Sequence, residues 1–128
     1  MNIGIVGQGF VGTAVNEGLK QYHNIETYDI AKASTCKSLA DLSEKSDVVF
    51  VCLPTPMKKD GSCHIDIVES TLLGLDVINE CKTIVVKSTI PPGTTEKWNS
   101  LFTNIQIVFN PEFLTEANAI EDFKNQNR

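Results

Sequence analysis

The chain has 128 residues, 41% of them hydrophobic, which fits one domain of ordinary size with one core. A net charge of −5 and a pI near 4.9 argue against nucleic acid as a partner, since phosphate binding needs a basic surface. No apolar run approaches the roughly 20 residues needed to span a bilayer, so no membrane partner is expected. The N-terminus enters a strand at once, so no signal peptide is expected.

The first element is a short apolar run, Ile3 to Val6, that meets Gly7-Gln8-Gly9-Phe10-Val11-Gly12. Beyond it the pattern turns helical, and a first helix is expected from about Gly9 to Lys20. A strand feeding a glycine-rich turn that opens a helix is a dinucleotide-binding arrangement. Gly7 allows the tight turn, Gly9 lets backbone approach a pyrophosphate, and Gly12 lets the helix sit close on the strand. The helix N-terminus adds unpaired N–H groups and a partial positive charge. A second strand, Ile25 to Asp29, ends in a carboxylate at the roughly 20-residue spacing expected of a ribose-binding acid. Asp29 favours NAD, because it would repel a 2′-phosphate.

Residues 30–46 are mixed, with Leu39 and Leu42 as the inward positions of a short helix ending near Lys45. Asp47 to Leu53 is a near-continuous apolar run, as in a parallel strand buried on both faces. Pro54-Thr55-Pro56 stops it, and a polar loop follows to Cys63. Ile65, Val68, Leu72, Leu73, Leu75 and Ile78 mark a helix, and Thr83 to Lys87 a fourth strand. Thr94 or Thr95 can cap a short helix through Trp98 and Leu101. Ile105 to Phe109 is the fifth strand, and a last helix is expected over Glu116 to Phe123.

Strands alternate with helices throughout, which predicts an α/β fold: a doubly wound parallel sheet of Rossmann type in a single domain. In such sheets ligands bind at the carboxyl ends of the strands, near the switch point. Three proline-bearing loops, 53–56, 88–94 and 110–116, follow strand ends and belong on that rim. The four cysteines, at 36, 52, 63 and 81, show no CxxC spacing, and only His23 and His64 could assist them, so no metal site is expected. Cys52, in an apolar strand, reads as a buried thiol. A reduced cytoplasmic protein is the default, although the count alone leaves disulfides open.

Gly7 to Gly12, Leu53-Pro54-Thr55-Pro56, Lys87-Ser88-Thr89-Ile90-Pro91-Pro92-Gly93-Thr94 and Asn110-Pro111-Glu112-Phe113-Leu114 occur in that order. Together they resemble the N-terminal NAD-binding domain of the UDP-glucose/GDP-mannose dehydrogenase family, over essentially the whole chain. The resemblance implies oxidation of the C6 hydroxyl of a nucleotide sugar to a carboxylate, in two hydride transfers to NAD through a cysteine-bound intermediate. It implies that Phe10 and Val11 lie on the pyrophosphate and Asp29 on the adenine ribose, with Pro54, Thr55 and Thr89 on the nicotinamide side. Glu112, Phe113, Leu114, Thr115 and Glu116 would meet the substrate. Glu116 would also sit near the nicotinamide, while Thr89 and Glu112 would position water or handle protons, a role suited to a hydroxyl beside a carboxylate.

The chain also departs from the family. Thr115 and Ala117 stand where Arg and Gly are usual, which loses a substrate contact. Ser34 stands where a basic residue often follows Asp29, leaving Lys32 as the nearest cation. No cysteine matches the family's nucleophile. The resemblance places Arg128 within the first domain, so the central and sugar-binding domains are expected to be absent. Whether the chain is an enzyme by itself therefore stays open. It reads as the cofactor half of a nucleotide-sugar dehydrogenase, incomplete alone, or as a non-catalytic nucleotide-binding or interaction module. An exposed fifth strand and an uncovered apolar surface lead us to expect a homodimer or a partner chain supplying the missing domain.

Overall fold

The computed structural model describes residues 1–55, 59, 65–78, 82–110 and 119–125. In chain order the elements are β1 (Asn2–Val6), α1 (Phe10–Leu19), β2 (Asn24–Tyr28), α2 (Leu39–Lys45) and β3 (Val48–Val51), then α3 (Asp66–Ile78), β4 (Thr83–Val86), α4 (Thr94–Leu101), β5 (Gln106–Phe109) and α5 (Ala119–Asn125). The five strands form one sheet in the order β2-β1-β3-β4-β5, and every pairing is parallel. The order reverses between β1 and β3, so their carboxyl ends frame the crevice where such sheets take ligands.

Alternation along the strands divides the core between two faces. Val49 and Val51 of β3 and Ile84 and Val86 of β4 pack with Leu42, Val68, Leu72, Leu75 and Trp98 under α2, α3 and α4. Ile3, Ile5 and Cys52 pack with Val15 on the other face, with Phe50 and Phe123 against them, under α1 and α5. Trp98 is fully buried, and its Nε1 donates to Glu69 Oε1 at 3.1 Å, tying α4 to α3. The Phe123 ring occupies the place where a side chain on Gly18 would stand, which seats α5 on α1.

Several expectations need correction. Leu73, one of the residues that mark α3, is 53% exposed, because burial of Val68, Leu72 and Leu75 sets the helix phase and turns position 73 away. Neither Thr94 nor Thr95 caps α4. Gly93 is the N-cap residue, at φ +84°, and makes no side-chain cap; Thr94 is already helical and buried. Strands β2 and β3 end at Tyr28 and Val51, leaving Asp29, Cys52 and Leu53 just beyond the ladder. The start expected for the last helix lies outside the described residues, and the helix itself begins by Ala119.

Candidate dinucleotide site

Gly7 follows β1 at φ +96°, a left-handed conformation that L side chains rarely adopt. Its N–H donates to Tyr28 O at 2.9 Å, and a Cβ there would stand 2.5 Å from Cys52 O. The turn is therefore held between β2 and the end of β3. A Cβ on Gly12 would collide with the Gly7 carbonyl, so the first turn of α1 rests directly on the chain it follows. A Cβ on Gly9 would meet nothing within 4 Å. Gly9 is also the N-cap of α1, with no side-chain cap, and the first turn contains no acidic residue. The first N–H groups of α1 thus lack side-chain acceptors beside open space, which fits a phosphate group.

Asp29 lies at the mouth of this turn. Its Oδ2 accepts from Gln8 N–H at 2.6 Å, and its Oδ1 accepts from Ala31 and Lys32 N–H at 2.8 and 2.9 Å. Partial burial pushes the carboxyl up, but these backbone donors and the Lys32 ammonium outweigh it and hold the group below its ordinary value. Lys32 Nζ donates to Gln8 O at 3.1 Å, and Thr13 Oγ1 donates to the same oxygen at 3.2 Å. Gln8, which sequence reasoning passed over, is therefore the hub that joins the glycine turn to the end of β2.

A cleft of about 780 Å³ runs from Asp29 across the turn to the exits of β3 and β4. Of the residues singled out from sequence, Gly7, Gly9, Phe10, Val11, Asp29, Lys32, Pro54, Thr55 and Thr89 line it, and Gly12 sits one layer behind. Glu112, Phe113, Leu114, Thr115 and Glu116 lie outside the described residues. The cleft also takes in Ile30, Leu39, Lys87 and Ser88, and one face of α3 through Ile67, Ser70 and Thr71. The i, i+3, i+4 spacing of those last three was the available signal for that wall.

Cys52 is buried beside the cleft. Desolvation pushes its thiol up to about 12, against the opposing charge of Lys87. Burial also raises the Cys36 thiol, aided by Glu26. Neither is placed as a nucleophile. Among the described residues, no three His, Cys, Asp or Glu side chains gather as metal ligands would, and no helix is long and apolar enough to cross a membrane.

The sequence pattern of the UDP-glucose/GDP-mannose dehydrogenase family, NAD binding domain, matches residues 29–128. Over 95% of its length the chain is 30% identical to a UDP-glucose 6-dehydrogenase of Streptococcus pneumoniae, and it spans 38% of that relative. Over its full length it is 31% identical to an uncharacterized protein of Methanocaldococcus jannaschii, of which it spans 18%. The fold is shared with a GDP-mannose dehydrogenase of Pseudomonas aeruginosa, at a TM-score of 0.82 and 24% identity over 96% of this chain and 38% of that one. The family match begins at Asp29; the glycine turn ahead of it rests on the geometry above and on the relatives aligned across the whole chain. The chain belongs to the UDP-glucose/GDP-mannose dehydrogenase family and carries its NAD-binding domain.

Proposed function

We propose that the cleft holds NAD with its diphosphate on the N–H groups of α1 beside Gly9, and its adenine ribose on Asp29. Phe10 and Val11 flank the diphosphate, Lys32 sits by the ribose, and Pro54, Thr55 and Thr89 face the nicotinamide. The observation that carries this is the coincidence of an open Cβ position at Gly9, an uncapped helix start and a carboxylate held ionised beside them. Bound NAD supplies a hydride acceptor at the β3–β4 end of the cleft.

On this reading the chain is the cofactor half of a cytoplasmic nucleotide-sugar 6-dehydrogenase acting on the sugar C6 hydroxyl. Glu112 to Glu116 contact the sugar; Thr89, Glu112 and Glu116 position water or handle protons. A second copy, or a partner chain bringing a sugar domain, completes the assembly. Exposed Val108 and Phe109 on the edge strand β5, and Leu101 at the end of α4, support association.

Calorimetric titration with NAD⁺ and, separately, UDP-glucose tests the proposal. NAD⁺ should bind, and Asp29→Asn should weaken it. Absence of NAD⁺ binding at millimolar concentration refutes the cleft assignment. A second reading, a nucleotide-binding module without a reaction of its own, is favoured by the burial and raised thiols of Cys36 and Cys52, the two cysteines among the described residues. It predicts NAD⁺ binding with no NADH formed from UDP-glucose even when a partner chain bringing the sugar domain is supplied, whereas the first reading predicts NADH once that chain is present.

A further inference from the structure

The exits of β3 and β4 are joined by one hydroxyl. Ser88 Oγ donates to Leu53 O at 2.7 Å and accepts from Leu53 N–H at 3.1 Å. The regular ladder between these strands finishes just before this point, with Val51 opposite Val86 and Lys87 N–H donating to Val51 O at 2.9 Å. Ser88 thus gives Leu53 both the donor and the acceptor that a further step of sheet would have given through main chain. It is only 6% exposed, so water does not replace this clasp at low cost.

The clasp stands between two residues that line the cleft, Thr55 two positions beyond Leu53 and Thr89 next to Ser88. A dinucleotide with its diphosphate at α1 and one ribose at Asp29 on the β2 side has only the β3–β4 side left for its second half. We propose that Ser88 is a positioning residue for the nicotinamide half of the cofactor, acting by fixing the separation of the two exit loops. The proposal rests on the NAD assignment above. It gives Ser88 no contact with the reacting atoms.

Two ligands separate this role from general support of the fold. NAD⁺ carries the nicotinamide nucleoside, and ADP-ribose lacks the nicotinamide while keeping the adenosine and diphosphate. In Ser88→Ala the NAD⁺ affinity should fall at least about fivefold, roughly the effect of one lost hydrogen bond, while ADP-ribose stays within about twofold. Saturation transfer from the protein to the nicotinamide ring protons should weaken in parallel. Ser88→Cys, which fills similar space with a weak hydrogen-bonding group, should show the same selective loss and serves if the alanine variant fails to fold. Ser88→Thr, which keeps the hydroxyl, should retain the wild-type preference. If wild type binds both ligands and the variants lose both equally, or neither, the clasp role is overturned. If wild type binds neither, the NAD assignment itself has failed and this proposal falls with it.

Discussion

Gly9 and Gly12 belong to one motif, but the structure gives them separable jobs, and alanine at each should show it. At Gly12 a methyl would be driven into the Gly7 carbonyl, with its carbon 2.8 Å away. Both atoms are main chain, so no rotamer relieves the contact and α1 must lift from the turn. Overpacking of this kind costs about 3 kcal/mol or more. For a domain of this size that lowers the melting temperature by roughly 12 °C. At Gly9 a methyl meets nothing within 4 Å, and φ −73°, ψ −162° suits any L residue. Lost chain entropy in the unfolded state offsets a poorer N-cap, so stability should stay within about 1 kcal/mol of wild type. The methyl does, however, stand where a diphosphate would approach.

Thermal melts with and without NAD⁺ read both effects. At a concentration a hundredfold above the wild-type Kd, the ligand stabilises wild type by about 2.7 kcal/mol, and a tenfold weaker Gly9→Ala by only about 1.4 kcal/mol. Gly12→Ala should melt low whether or not NAD⁺ is present. The reasoning fails if Gly9→Ala unfolds early without ligand, if it gains as much from NAD⁺ as wild type, or if Gly12→Ala melts normally.

The carboxylate of Asp29 is held below its ordinary value, so its contribution to stability is present above about pH 4, the unfolded value, and is lost as pH falls through the lower folded value. Only its bond from Gln8 is partly shielded from solvent, so Asp29→Ala should cost about 1–2 kcal/mol at pH 7, a difference that closes in acid; a pH-independent difference refutes this. With Cys52 pushed up to about 12, about one thiol in ten thousand is ionised at pH 8, and alkylation mapped by peptide mass spectrometry should reach it only after unfolding. Fast labelling of native Cys52 would show the cleft floor to be open. At the sheet edge, Asn99 Oδ1 accepts from Ile107 N–H at 2.9 Å and its Nδ2 donates to Ile107 O at 3.0 Å, taking both outward main-chain groups of that residue. Asn99→Ala should speed exchange of the Ile107 amide at least about tenfold and promote strand-paired association in sedimentation. Unchanged exchange in a folded variant would mean that the amide does not guard the edge.

The parallel sheet with its covering helices was legible for a physical reason. A strand buried on both faces must be apolar throughout, as Val48 to Leu53 is, and a chain crossing close over itself must drop its Cβ, as Gly12 does. The phase of α3 was less legible, because Ile67, Val68, Leu72, Leu73, Leu75, Val77 and Ile78 surround the helix with apolar side chains. Only packing decides that Val68, Leu72 and Leu75 go inward while Ile67 turns to the cleft and Leu73 and Val77 to the surface. The cap of α4 was misread because threonine is the usual cap by type, and nothing in Pro-Pro-Gly-Thr announces that Gly93 has already turned the chain. Ser88, Asn99 and Gln8 escaped for a different reason. Ser88 and Asn99 complete main chain from another segment, Ser88 across 35 positions, while Gln8 has its own main chain held by the side chains of Asp29, Lys32 and Thr13, and such pairing leaves no periodic trace.

Asp29 lies between these cases, and it changes how the site should be tested. Spacing put it at the end of β2 beside the glycine turn, where the structure has it. Spacing did not show that both carboxylate oxygens already accept from backbone N–H groups, one of them within the glycine turn. Removing the carboxylate therefore loosens the turn as well as taking away the group proposed to hold the ribose. Lost NAD⁺ binding in Asp29→Ala would follow from either effect. Gly9, whose Cβ position touches no part of the folded chain, changes the ligand's approach without that ambiguity, so binding by Gly9→Ala is the stricter measure of whether a diphosphate rests on this turn.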